Sequence, residues 1–410
     1  MKAQAPAMSD EDRARDLVAK LARHDFSAAV ATFDEKMRAA MPEAKVAEVW
    51  SAIEQQAGAF ERVDSVAVKQ TGDLRVALTE VSFARAPLVV RVVLAADGRV
   101  TGLFVAPGNT AKNWQPPDYA KTDAFEETGV TVASLPGTLT IPKNAHACAA
   151  VVLVHGSGPN DRDETIGPNK PFKDLAWGLA SRGIVVLRYD KRTRVNPIGI
   201  RTQKDEVDDA AHAAVALLRA RPEVDPARVA LLGHSQGGYL APRIAREDPA
   251  IRRLVILAGP TRPLEDSLVA QTRYVATLPG HEAMKDQLAA VEKLKATVES
   301  PTLRPDQPLS VFGASISGAY FLDVRGYHPA DVAAKLTIPI LVLQGERDYQ
   351  VTMDDFAGWR ALRHATLKSY PGLNHLFMRG EGPPSPSDYE KAAHVDAAVV
   401  ADIAAFVSHL

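Results

Sequence analysis

Val229-Ala230-Leu231-Leu232-Gly233-His234-Ser235-Gln236-Gly237-Gly238 is the stretch on which the reading of this chain turns. Its apolar opening reads as a buried strand, and Gly237–Arg246 reads as a helix. Between them stands Gly-x-Ser-x-Gly, weak evidence alone but specific when it joins a strand to a helix. So sharp a turn needs glycines, because Cβ atoms there would strike the neighbouring strand and helix. It lifts the Ser235 hydroxyl above the sheet. It also sets the Gln236 N–H at a helix N-terminus, where developing negative charge is stabilised. The bland alternative is a glycine-rich helix cap without chemistry.

Outward from this stretch, short apolar runs alternate with helical ones. The expected strands are Ala149–His155, Ile184–Tyr189, Val229–Gly233, Leu254–Ala258, Ile340–Gln344 and Thr366–Tyr370. The expected helices are Asp174–Arg182, Asp205–Ala220, Gly237–Arg246 and Met353–Leu362. This rhythm predicts an α/β fold with a mostly parallel, doubly wound sheet. Residues 263–333 interrupt it and read as a helical cap insertion. Toward the N-terminus the pattern differs. Residues 9–57 are helical, with Val46, Val49, Trp50 and Ile53 on one face of the last helix. Four strand candidates follow: Phe60–Lys69, Leu74–Phe83, Leu88–Leu94 and Val100–Val105, the first two separated by the turn Thr71-Gly72-Asp73. This is an N-terminal α+β domain with an antiparallel sheet. The expected division is 1–107 for that domain, 108–122 for a Pro/Trp linker and 123–410 for the sheet with its cap.

A serine attacks only when a base takes its proton. His375, in Pro371-Gly372-Leu373-Asn374-His375 after the last strand, is the best placed of the 11 histidines. His155 suits a loop-building role, His394 reads as structural within a helix spanning Tyr389–Phe406, and His234 is fixed inside the turn. The base needs a carboxylate to orient it. Asp348, in Gln344-Gly345-Glu346-Arg347-Asp348, is the choice, with Glu346 as competitor and Arg347 able to pair with either. The order Ser235, Asp348, His375 belongs to one class of hydrolase and differs from the chymotrypsin-like and subtilisin-like orders. A second oxyanion donor is expected from His155-Gly156-Ser157-Gly158-Pro159. Ser157 N–H is the chosen donor and Gly156 supplies close approach; the alternative is an ordinary glycine-rich turn. Asn160-Asp161-Arg162-Asp163 reads as a loop held by ion pairs. For Arg188-Tyr189-Asp190-Lys191-Arg192, internal pairing is preferred to anion binding.

Composition sets the outer bounds. The chain has 410 residues, 46% hydrophobic and 24% charged, with a formal charge of −2. This excludes a disordered or fibrous chain and gives no electrostatic footprint for nucleic acid. One cysteine, Cys148, excludes an internal disulfide and a multi-cysteine metal site. No apolar run is long enough to span a membrane. The compartment stays open: Ala3-x-Ala5 is what lies near a cleavage site, so the chain is cytoplasmic or exported with a signal peptide absent from it.

From about residue 123 onward, the elbow, the His-Gly loop, the sheet rhythm and the Ser-Asp-His order resemble the α/β-hydrolase family. The nearest branch is that of the dienelactone-hydrolase- and serine-aminopeptidase-like bacterial esterases. Residues 9–107 resemble a small nuclear-transport-factor-like cone. The resemblance implies hydrolysis of carboxylic esters of small to medium acyl groups, with no metal and no organic cofactor. Ser157 stands where lipases with a His-Gly-Gly-Gly loop have glycine, which argues against bulky tertiary-alcohol esters. The expected partner is a small-molecule ester, and a homodimer is compatible. Two other functions fit the same residues. One is a peptidase or amidase, for which Glu265-Asp266 are the acids that could hold a substrate amino group. The other is an inert binding protein on this fold.

Overall fold

The computed structural model describes residues 8–71, 74–84, 86–108, 114–281, 284–312 and 314–409. The Ala3-x-Ala5 pattern, the turn residues Gly72 and Asp73, and linker residues 109–113 lie outside the described residues. The chain divides into two units, Met1–Asn113 and Trp114–Leu410.

In the first unit, side-chain caps start three of the helices. Ser9 opens α1 (Asp10–Ala22), Asp25 opens α2 (Phe26–Ala31) and Asp34 opens α3 (Glu35–Ala40), each accepting a bond from an orphan amide. In α4 (Glu43–Ala57), Val46 and Trp50, one turn apart, are buried. Val49, expected beside them, is 37% exposed because it follows Val46 by three residues on the outer edge of that stripe. The strands β1 (Phe60–Thr71), β2 (Leu74–Phe83), β3 (Pro87–Leu94) and β4 (Val100–Pro107) pair antiparallel in chain order. One face of this sheet, with Val81, Phe83, Val90, Val92 and Leu94, shares a core with Leu17, Leu21, Phe33 and Trp50.

The second unit opens with β5 (Phe125–Val132) and β6 (Leu135–Pro142), an antiparallel hairpin. There follow β7 (Cys148–Val154), α5 (Pro171–Ala180), β8 (Val185–Tyr189), α6 (Arg192–Val195), a wide π turn at Lys204–Asp208 and α7 (Asp209–Arg219). Next are β9 (Val224–His234), α8 (Gln236–Glu247) and β10 (Arg253–Leu257). The insertion holds α9 (Leu264–Val275), α10 (Met284–Glu299), β11 (Pro308–Val311), β12 (Ala314–Ser317), α11 (Gly318–Leu322) and α12 (Pro329–Ala333). The chain closes with β13 (Ile340–Gly345), α13 (Met353–Gly358), β14 (Ala365–Tyr370) and α14 (Ala397–Ser408).

The eight-stranded sheet runs β14-β13-β10-β9-β7-β8-β6-β5, parallel from β14 to β8 and antiparallel over the last pairs. Its central strands are buried along their length, as a sheet covered on both faces requires. One cover contains residues of α7, α8 and α13, the other residues of α5 and α14. Between β7 and β8 the chain crosses on the α5 face, and between β8 and β9 on the α7 face. That reversal makes the β7/β9 boundary the switch point, where open α/β sheets collect their ligands. The insertion has its own small core of Leu294, Val298, Leu303, Leu309 and Phe321. It is not purely helical, since it carries the β11–β12 hairpin. Trp114 and Tyr119, from the stretch read as linker, are held on this unit: the Trp114 indole donates to Asp174 at 3.0 Å and the Tyr119 hydroxyl to the Val395 carbonyl at 2.8 Å.

Candidate active site

At the end of β9 the chain turns through Ser235, which sits at φ 51°, ψ −114°. This costly conformation holds because the surroundings leave no alternative. A Cβ on Gly233 would lie 2.2 Å from the Gly237 carbonyl oxygen, and one on Gly237 would lie 2.3 Å from the Val154 carbonyl oxygen. Ser235 N–H donates to Leu257 O at 2.9 Å, which ties the turn to β10. Gln236 N–H opens α8 as its first helical amide, so no carbonyl lies one turn behind it.

His375 and Asp348 meet across the loops that follow β14 and β13. Parallel pairing sets Gly345 opposite Tyr370, so the two loops leave the sheet side by side. A Cβ on Gly345 would strike the Leu373 and Asn374 carbonyls at 2.5 and 2.6 Å. The Asn374 side chain accepts from the Leu376 and Met378 amides and shapes the loop. His375 Nδ1 donates to Asp348 Oδ2 at 2.6 Å, and both side chains are buried. Asp348 also accepts from Gln350 N, Val351 N and Gln344 Nε2 at 2.8–3.1 Å, which fixes its carboxylate. Glu346 points elsewhere, accepting from the exposed Ser369 hydroxyl at 2.7 Å. Arg347 pairs with neither acid of its loop. It reaches Asp388 at 3.3 Å and the carbonyls of Glu381 and Gly382.

The loop after β7 lies against this turn because Val154 is in register with Gly233. A Cβ on Gly156 would come within 3.1 Å of the Ser235 Cβ, tighter than ordinary packing, so glycine eases the close approach. The Gly156 N–H is committed to Glu164 Oε1 at 2.6 Å and is not free for a substrate oxygen. Among the described residues, no acceptor engages the Ser157 N–H.

Residues 145–381 match the family described as "Serine aminopeptidase, S33", and residues 14–103 match one described as "Protein of unknown function (DUF3887)". Esterase EstD of Thermotoga maritima is 37% identical over 394 residues, covering 94% of this chain and 92% of its own. This chain belongs to the α/β-hydrolase family of serine esterases. Solved structures of Est1E from Butyrivibrio proteoclasticus with ferulic acid and of the Pyrobaculum calidifontis esterase are 18% and 16% identical, with TM-scores of 0.43 and 0.44. They cover 61% and 69% of this chain and 91% and 84% of their own.

In this α/β-hydrolase, the elbow histidine has a part that the sequence did not show. His234 is buried, and its Nε2–H donates to the His375 carbonyl at 3.0 Å. Its Nδ1 lies 3.0 Å from Glu164 Oε2, an ion pair off the line of a hydrogen bond. Burial alone would lower the His234 pKa, but the Glu164 charge and the His375 carbonyl bring it above the ordinary imidazole value. Burial alone would raise Glu164, and His234 with the Gly156 N–H brings it below the ordinary carboxyl value. The pair thus ties together the turn at Ser235, the His375 loop and the Gly156 loop.

The loop 160–163 is held by ion pairs as expected, with Arg162 on Asp190 and Asp163 on Lys170 and Arg188. The run 188–192 departs from expectation: its charges pair outward, Arg188 with Glu127 and Asp163 and Asp190 with Arg162, and Arg188 is buried rather than solvated. His155 is neutral, lowered to about 4 by burial against Phe172 and Tyr189. His394 departs from expectation, because α14 begins only at Ala397 with Asp396 as its cap. His394 stands in the preceding loop and pairs with the buried Asp174 at 3.1 Å.

Proposed function

We propose that this protein cleaves carboxylic esters of small to medium acyl groups through an acyl-enzyme on Ser235. His375 Nε2 takes the Ser235 Oγ proton as the oxygen bonds to the carbonyl carbon. The N–H groups of Ser157 and Gln236 receive the oxyanion. The tetrahedral adduct collapses, the carbon–alkoxide bond breaks, and His375 returns the proton to the leaving alcohol. Water repeats the sequence in reverse roles and frees the acid. Asp348 keeps Nδ1 protonated, so that Nε2 stays a base. The observation that supports the reading is the buried 2.6 Å contact between His375 and Asp348, with the His375 carbonyl bonded by His234, the neighbour in sequence of the strained Ser235 at a helix N-terminus. It also speaks against an inert binding protein, which has no use for a buried and oriented imidazole.

Amide cleavage is the second reading, because the matching family is described as serine aminopeptidase. Of its candidate acids, Asp266 is paired with Lys295, and Glu265 is part-buried, which pushes its carboxyl up. A p-nitrophenyl ester series from acetate upward, run beside matched p-nitroanilides, tests both readings. Ester turnover exceeding amide turnover by orders of magnitude is expected. Faster turnover of an aminoacyl anilide would favour the peptidase.

A further inference from the structure

The residues behind the oxyanion loop form a closed polar ring that the mechanism above does not use. Lys191, the second residue after β8, has a side chain only 2% exposed. Its Nζ donates to Gly156 O at 2.7 Å and to Gln236 Oε1 at 2.8 Å, and it pairs with Glu206 Oε1 at 3.1 Å. An ammonium has three N–H donors, and each has an acceptor here. Glu206 lies in the π turn before α7, and its Oε2 accepts from the Tyr320 hydroxyl at 2.5 Å. Tyr320 comes from α11 of the insertion, and its oxygen accepts from Gln236 Nε2 at 2.6 Å. The ring therefore runs Lys191, Gln236, Tyr320, Glu206 and back.

Both acceptors of Lys191 other than Glu206 bear on the oxyanion hole. Gly156 C=O and Ser157 N–H are two ends of one planar peptide, so fixing the oxygen fixes the direction of the N–H. Asn160 Nδ2 holds the same oxygen at 3.1 Å. A cation at that oxygen also polarises the peptide toward a stronger N–H donor. The second acceptor, Gln236, carries the other oxyanion N–H on its own backbone.

We infer that Lys191 is a positioning residue of the oxyanion hole, holding the Ser157 and Gln236 N–H groups toward one point, and that Tyr320 links the insertion to that setting. The inference rests on the reading of those two N–H groups as oxyanion donors. Its rival is that Lys191 only neutralises a buried Glu206. The two separate in a variant that removes both charges, Lys191→Met/Glu206→Gln, because neutralisation is then no longer needed.

The experiment uses full-length protein, a p-nitrophenyl ester, and a trifluoromethyl ketone whose tetrahedral adduct carries an oxyanion. Losing one oxyanion donor costs about 10²–10³ in kcat, so misaiming donors should cost about 10–100-fold. In Lys191→Met/Glu206→Gln, kcat should fall by that factor while KM changes less than about threefold. Ketone affinity should fall in step with kcat. Tyr320→Phe opens the ring but keeps the lysine, and kcat should fall about 3–10-fold with a parallel loss of ketone affinity. Wild-type kcat and ketone affinity in the folded double variant would overturn the inference. Should that variant not fold, unchanged values in Tyr320→Phe would overturn it. Full activity in Ser235→Ala would instead overturn the reading on which the inference rests.

Discussion

The two units use sheets in opposite ways. In the first, β2 alternates between inward and outward residues, and one face of the sheet packs on helices. In the second, β8, β10 and β13 are buried nearly throughout, and helices cover both faces. Thr79 is the one buried polar or charged side chain of the first unit among the described residues. The second unit buries His155, Glu164, Lys191, Glu206, His234, Asp348 and His375. A sheet covered on both faces ends in loops that the surrounding layers shield from water. Charges there must be paired, and paired charges hold geometry. Paired buried charges gather where layers cover both faces of a sheet, and every residue proposed for catalysis lies in the second unit.

The hardest blow to this comparison comes from Ser235. Ser235→Ala should lower ester kcat by about 10³–10⁶ with the fold unchanged, as judged by circular dichroism. Retention of most activity would remove the mechanism. Next, two acids on one loop differ only in what they touch. Asp348→Asn should cost about 10⁴ in kcat by releasing the imidazole tautomer, whereas Glu346→Gln should stay within about twofold. The reverse ranking would move the orienting role to Glu346.

A third effect is on stability. His234→Gln leaves Glu164 buried without its ion pair and should cost about 3–5 kcal/mol in urea unfolding. The sign with pH follows from the shifts. The raised His234 stabilises the fold below its unfolded pKa, and that contribution is lost as pH rises through the folded value. The lowered Glu164 stabilises above its unfolded pKa, and that contribution is lost as pH falls through the folded value. The wild-type advantage over His234→Gln should therefore shrink from neutral toward alkaline pH. An advantage that grows there would contradict the assignment. The smallest effect is expected from the first unit. Deleting residues 1–107 should leave turnover of acetate esters within about threefold, while altering acyl-length preference or oligomeric state. A large loss of acetate turnover would place first-unit residues in the chemistry.

What the sequence revealed follows from how local each signal is. The elbow around Ser235 and the loops of His375 and Asp348 are short motifs that follow apolar runs, and the parallel strands could be read from those runs. The β5–β6 hairpin was missed. β5 is an edge strand with Glu126, Glu127 and Gly129 in it, so it lacks the continuous apolar run of its neighbours. The extent of α14 was misjudged because apolar residues begin before its Asp396 cap. The partner of Arg347 lies 41 residues away at Asp388, beyond any local pattern. The polar ring was invisible for the same reason, since Lys191, Glu206, Gln236 and Tyr320 come from four separate elements. Nothing local to any of these side chains signals its partner, and only the fold brings them together.

Ser235 is proposed to carry the ester chemistry. Titrating the protein with a fluorophosphonate tests it most directly, with the modified fraction of Ser235 measured by peptide mapping and plotted against remaining ester turnover. A straight line that reaches zero turnover at full modification is expected, with no adduct on another residue. Turnover that persists with Ser235 fully modified, or inactivation with the adduct elsewhere, would contradict it.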